Sequence, residues 1–173
     1  MKVTDLKNKI RSIPDFPKKG VIFRDITPVL QDKKAFRFLI NELIKPYKNK
    51  KIDKVVGIDA RGFLLAAPIA LKLGAGLCIV RKKGKLPYET VAQNYSLEYG
   101  EETIEMHKDS ILPGEKVLIV DDVIATGGTL KACVDLVEKL GGKIVGIAVF
   151  IELKDLKGRE KLKKYRLYSL VKF

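Results

Sequence analysis

Residues Val117 to Thr129 read VLIVDDVIATGGT. The run Val117–Val120 has no polar interruption, the pattern of a strand covered on both faces, as in a parallel sheet. Asp121 and Asp122 follow at its carboxyl end. A Thr/Gly-rich turn then opens a helix in which Leu130, Cys133, Val134, Val137 and Leu140 point inward. In open α/β sheets, ligands bind beyond the carboxyl ends of the strands. A helix N-terminus preceded by small residues presents backbone N–H groups and a partial positive charge, which together suit a phosphate. Gly127 and Gly128 let the backbone approach closely, and the hydroxyls of Thr126 and Thr129 add hydrogen bonds, so Ala125 to Thr129 form the candidate phosphate cradle. Two adjacent carboxylates are poorly placed to welcome phosphate, yet they suit two vicinal sugar hydroxyls. The segment therefore asks for a phosphorylated sugar. An ordinary strand–turn–helix shares the TGGT turn but not the acid pair after the apolar run. The Walker pattern GxxxxGK[ST] and GxGxxG are both absent.

Working outward, the same rhythm repeats. Lys54–Ile58 reads as a buried strand, Gly62–Leu73 as a helix ended by Gly74, and Leu77–Val80 as a short strand. Gly141-Gly142 stops the helix after the cradle, and Ile144–Ile151 returns as a strand. Apolar runs separated by amphipathic helices predict an α/β, Rossmann-like fold with a central, mostly parallel sheet flanked by helices. Near the N-terminus, Val3, Leu6 and Ile10 share one helical face, and that helix should end before Pro14. Pro14 to Gly20 is a loop, because two prolines and a glycine forbid regular structure. Asp32 can cap a helix striped by Phe36, Leu39, Ile40 and Leu43. The polar stretch from Lys85 to Ser110 carries no helical stripe, and alternations such as Ile104 and Met106 suit an exposed β-excursion.

No internal repeat or linker interrupts the chain, so residues 1–173 are expected to form one domain. No apolar run approaches the roughly 20 residues needed to span a bilayer, and Met1–Asp5 has no apolar signal core. A cytoplasmic protein is the expectation. Cys78 and Cys133, the two cysteines, sit inside apolar patterns and are expected to be buried thiols. His107 is the only histidine, which excludes a metal site or triad built on several imidazoles, and it is expected at the surface. The formal net charge of +13 is compatible with nucleic acid, with a phosphate-rich small substrate, or with a lysine-rich composition alone. The lysines are spread along the chain and are not interleaved with aromatic residues as a stacking surface for single strands requires, which speaks against nucleic acid.

The segment VLIVDDVIATGGT resembles the phosphoribosyl pyrophosphate signature of the type I phosphoribosyltransferases. Further pieces in the same order resemble the adenine-using branch of that family nearly end to end: IPDFPKKGVIFRDITPVL (Ile13–Leu30), GIDARGF (Gly57–Phe63), RKKGKLP (Arg81–Pro87), YSLEYG (Tyr95–Gly100) and LKGREKL (Leu156–Leu162). The resemblance implies the type I fold, with a small N-terminal hood from about residues 1–30 and a flexible flap at about residues 85–110. It implies transfer of the 5-phosphoribosyl group from phosphoribosyl pyrophosphate to adenine, giving AMP and pyrophosphate. Two rival readings are transfer to a 6-oxopurine, and a nucleic-acid-binding regulator that senses phosphoribosyl pyrophosphate. The Phe23-Arg24 segment argues against the first. Against the second stand the intact flap motif and the lack of room for a helix-turn-helix before Ile13.

Residue by residue, the resemblance implies that Asp121 and Asp122 hold the ribose and Ala125, Thr126, Gly127, Gly128 and Thr129 the 5′-phosphate. Arg61 opens a second strand–helix junction and offers a guanidinium fork for pyrophosphate; the family places it there, with an unusual peptide bond nearby. Arg81, Lys82 and Lys85 lie beyond a predicted strand end. As a bare charge run they read as a solvated face, whereas the family uses them on pyrophosphate, sometimes from a neighbouring subunit, which implies a homodimer. Pattern alone makes Phe23 a core residue. The resemblance implies that it stacks on the purine, with Leu153 on the other face, the Ile22 backbone reading the exocyclic amine and N1, and Arg24 near the ring. Glu98 is the implied catalytic residue, managing the proton on the imidazole side of adenine, and Tyr99 belongs to the same flap. A closing flap has a motive, because water would intercept a developing oxocarbenium ion at C1′. Mg2+ is implied, held mainly by substrate oxygens rather than by a dedicated protein site.

Overall fold

The computed structural model describes residues 1–97 and 100–173. They fall into two compact units, Met1–Glu42 and Leu43–Phe173. In the first, helix α1 (Val3–Lys9) buries Leu6 and is opened by the Lys2 amide donating to Asp5 Oδ2 at 2.7 Å. Strands β1 (Arg11–Ile13) and β2 (Phe23–Asp25) then pair antiparallel, an element the sequence pattern did not predict because three-residue strands carry no readable period. The connecting loop contains a cis Phe16–Pro17 bond, and the Gly20 amide closes on Asp15 Oδ1 at 2.7 Å. A short helix α2 (Thr27–Gln31) was also unforeseen; Asp25 Oδ1 accepts from the Thr27 amide at 2.9 Å at its start. Helix α3 (Lys33–Ile44) is capped by Asp32 as expected, its Oδ1 accepting from Lys34 and Ala35 at 2.9 and 3.1 Å. Leu39, Ile40 and Leu43 of its stripe are buried.

The second unit is built on a seven-stranded sheet. Its strands are β3 (Lys54–Ile58), β4 (Gly76–Lys82), β5 (Thr90–Leu97), β6 (Gly100–His107), β7 (Lys116–Ile124), β8 (Lys143–Glu152) and β9 (Leu167–Lys172). They lie in the order β5-β6-β4-β3-β7-β8-β9. The pairs β4/β3, β3/β7, β7/β8 and β8/β9 are parallel, while β6 runs antiparallel to β4 and β5, so the sheet is mostly parallel, as expected. Helices α4 (Arg61–Leu73) and α5 (Gly128–Lys139) connect β3 to β4 and β7 to β8. These connections leave the central pair β3/β7 in opposite directions. Right-handed crossovers therefore put α4 and α5 on opposite faces, and make the carboxyl ends of β3 and β7 the topological switch point. Gly74 ends α4 in the left-handed region at φ 65°.

Val117, Leu118, Ile119 and Val120 are all 0% exposed, each contributing about 1.5–3 kcal/mol of burial free energy. Cys78 and Cys133 are buried free thiols, as expected. Four expectations need correction. Strand β7 does not stop at Val120: its ladder with β8 continues through Asp121↔Val149 and Ile124↔Glu152, because backbone pairing tolerates any side chain that finds a partner. Arg81 and Lys82 are inside β4, paired with Glu105 and Ile104, not beyond its end. The β-excursion is a hairpin whose alternation has a buried side, with Ile104 3% and Met106 0% exposed. His107 is half-buried with its Nε2 enclosed, its ring edge-on to Tyr88 at 6.1 Å. Strand β9, polar and mixed, was not foreseen.

Candidate functional site

At the switch point lies an open cavity of about 390 Å³. Its walls are Ile58–Arg61 from the end of β3 and the start of α4, Asp121–Ile124 from the end of β7, and Ala125–Leu130 from the turn and first residues of α5, with Lys82, Tyr95 and Glu102 from β4, β5 and β6. The structure thus brings together Arg61, Lys82 and the Asp121, Asp122, Ala125, Thr126, Gly127, Gly128 and Thr129 of one segment, from three separate readings of the sequence.

Asp121 and Asp122 are 9% and 5% exposed. The Asp122 amide donates to Asp121 Oδ1 at 2.8 Å, and Arg61 Nη2 meets Asp122 Oδ2 at 2.6 Å. Burial, reinforced by its charged neighbour Asp122, holds the Asp121 carboxyl well above the ordinary range. Burial also raises Asp122, against the pull of Arg61. One guanidinium faces two carboxylates, so this floor is built to receive hydrogen-bond donors such as hydroxyls. Gly62 is required beside it, since a β-carbon there would stand 2.8 Å from Asp121 Oδ1. The Asp59–Ala60 peptide just before α4 is cis.

The turn after β7 ends in Gly127, at φ 77°, which caps α5. The first amides of a helix lack intrahelical acceptors, so the start of α5 offers N–H groups and the positive end of its dipole to the cavity. Beside it, with the Tyr95 ring against Gly128, is a chain of polar contacts that the sequence reading missed. Tyr95 and Glu102 are directly opposed across β5/β6, and the Tyr95 hydroxyl donates to Glu102 Oε2 at 2.7 Å. Glu102 Oε1 accepts from Lys82 Nζ at 2.6 Å, and Tyr95 lines the cavity together with Thr129. Burial pushes the Tyr95 hydroxyl up to about 12, while Lys82 and then Tyr95 hold Glu102 below its ordinary value. Tyr95 stands in the YSLEYG motif, but only the hairpin register shows what it touches.

Arg81 and Lys85 do not line this cavity. Arg81 Nε bonds Asp59 Oδ2 at 3.1 Å and its Nη1 the Lys85 carbonyl at 3.2 Å, while Lys85 is exposed. Ile22 (51% exposed) precedes β2, and half-buried Phe23 and Arg24 form it, with Phe16 edge-on to Phe23 at 5.1 Å and Arg24 donating to the Ser12 hydroxyl. Leu153, just after β8, is half-buried and its amide donates to the Ile124 carbonyl at 3.0 Å. Glu98 and Tyr99 lie outside the described residues. Among the described residues, no helix is long and apolar enough to cross a membrane.

The phosphoribosyl transferase domain family matches residues 27–172. An adenine phosphoribosyltransferase of Desulfosudis oleivorans is 56% identical over 169 residues, covering 98% of each chain. The crystal structure of the adenine phosphoribosyltransferase from Thermoanaerobacter pseudethanolicus superposes with a TM-score of 0.97 at 51% identity, over 99% of this chain and 100% of that one. The Saccharomyces cerevisiae enzyme, complexed with an imino-altritol bisphosphate and adenine, gives a TM-score of 0.92 at 39% identity over 97% of both.

Proposed function

The chain belongs to the phosphoribosyl transferase family, and from that premise we propose that it is an adenine phosphoribosyltransferase acting in purine salvage. The observation that carries the donor half is the buried Asp121-Asp122 pair in the last residues of β7, ahead of the Gly/Thr turn and the N-terminus of α5. Asp121 and Asp122 accept hydrogen bonds from the vicinal hydroxyls of the ribose. Ala125 to Thr129 hold the 5′-phosphate on backbone N–H groups and the Thr126 and Thr129 hydroxyls. Arg61 and Lys82 serve pyrophosphate, exchanging Asp122 and Glu102 for its oxygens, with Arg81 and Lys85 following from the neighbouring segment. Adenine N9 attacks C1′ as the C1′–O bond to pyrophosphate breaks, and the imidazole proton passes to Glu98; Tyr99 belongs to the same flap. Phe23 offers a face for stacking, the Ile22 backbone reads the 6-amino group and N1, Arg24 approaches the ring, and Leu153 gives an apolar contact.

Magnesium supplies neutralising charge to the pyrophosphate leaving group when bound. The donor set suits an ion carried on substrate oxygens and water, since, among the described residues, no three His, Cys, Asp or Glu side chains gather as a cage. The enzyme works as a cytoplasmic homodimer in this reading. Leu64 and Leu71, exposed and two turns apart on one face of α4, support an apolar contact between copies.

The test is chromatographic detection of nucleotide from phosphoribosyl pyrophosphate and magnesium with adenine, hypoxanthine or guanine. AMP formation should dominate. IMP or GMP formed with comparable kcat/KM, or nucleic-acid binding without turnover, would overturn the assignment.

A further inference from the structure

After β8 the chain makes two short 3-10 turns, Lys154–Leu156 and Gly158–Leu162. Gly158 is buried against the turn that leads into α5. A β-carbon on Gly158 would overlap the Ala125 carbonyl and stand 2.8 Å from the Gly127 nitrogen. Conversely, a β-carbon on Gly127 would overlap the Gly158 carbonyl and lie 3.1 Å from its Cα. Two stretches of backbone meet here with no side chain between them.

The next residue anchors that contact. Arg159 Nε and Nη2 reach Glu152 Oε1 and Oε2 at 2.9 and 2.6 Å, a two-pronged fork. Nη1 donates to the Leu167 carbonyl at 2.9 Å and Nη2 to the Ser169 hydroxyl at 3.1 Å. Glu152 is 7% exposed and paired with Ile124, the last residue of β7 before the turn. Leu162, 1% exposed, pins the far end of the segment in the core. Arg159 therefore ties β8, β9 and the 3-10 turn into one frame, and neither it nor Gly158 lines the cavity.

Ala125, Thr126, Gly127 and Gly128 have too little side chain to fix their own backbone, so that freedom must be removed from outside. We infer that Gly158 and Arg159 are positioning residues for the 5′-phosphate, holding the Ala125–Thr129 turn so that its amides converge on the ligand. This rests on the phosphate role proposed above for that turn.

The test is calorimetric titration of the full-length protein with ribose 5-phosphate, together with steady-state kinetics, for wild type, Arg159→Met, Arg159→Lys and Gly158→Ala. Arg159→Met and Gly158→Ala should weaken ribose 5-phosphate binding about tenfold or more and raise the KM for the donor, with the adenine KM unchanged. Arg159→Lys keeps the charge but loses the fork and should fall between. A folded Arg159→Met protein that binds ribose 5-phosphate like wild type overturns the inference, as does an equal loss of affinity for donor and adenine. If Arg159→Met does not fold, Arg159→Lys and Gly158→Ala are judged by the same criteria. Failure of the wild-type protein to bind ribose 5-phosphate would instead overturn the phosphate reading itself.

Discussion

At the scale of single residues, the acid pair sets binding against stability. Asp121 has its carboxyl raised by burial and by Asp122, so the folded state holds a proton there more tightly than the unfolded chain. The penalty for ionising it is absent at acid pH, grows as pH rises through the folded value, and is constant above that. Asp121→Asn is therefore expected to melt higher than wild type at neutral pH in the absence of donor, by roughly 2–4 °C for each kcal/mol relieved, and to lose that advantage in acid. It should also bind the donor more weakly. Thermal melts of both proteins across pH check this, and a lower neutral-pH melting temperature for the variant would refute it. Asp122→Asn keeps the shape, loses the acceptor charge for the sugar and removes the partner of Arg61. Its kcat/KM for the donor should fall by about a hundredfold with the fold intact, and near-normal kinetics would remove Asp122 from the site.

At the scale of elements, β7 matters most: it is central, buried, and its parallel neighbours β3 and β8 set where its acids emerge. The end of β8 is tied by Glu152, whose carboxyl the Arg159 guanidinium holds down to about 2. Because the folded value lies below the ordinary one, this pair stabilises the fold above about pH 4.5 and loses that contribution as pH falls toward 2. The melting temperature of Glu152→Gln should thus lie below wild type at pH 6, and the gap should close in strong acid. A gap that is constant with pH would mean that the charge of Glu152 is irrelevant to stability. The first strand–helix–strand unit was readable because its period and its ending glycine are local. The β1/β2 hairpin and β9 were not, since three-residue strands and a polar strand take their identity from what they pair with.

At the scale of the whole molecule, the net charge of +13 gives a field that draws an anionic donor and leaves a neutral base unaffected. Raising salt from about 20 to 200 mM should lower kcat/KM for phosphoribosyl pyrophosphate several-fold while the KM for adenine stays level; equal effects on both would refute steering. The amino-acid sequence by itself determined the α/β alternation and the sugar-phosphate segment, because an apolar run, two acids and a Gly/Thr turn fit within Val117–Thr129 and each acts on its neighbours. Its resemblance to a family supplied the base and pyrophosphate residues. Only the tertiary structure decided that Asp121 and Asp122 are buried under Arg61, that Lys82, Glu102 and Tyr95 join in one chain of contacts, and that Gly158 rests on Gly127. These depend on strand order, register and backbone approach between segments far apart in sequence, which no local pattern of residue types encodes.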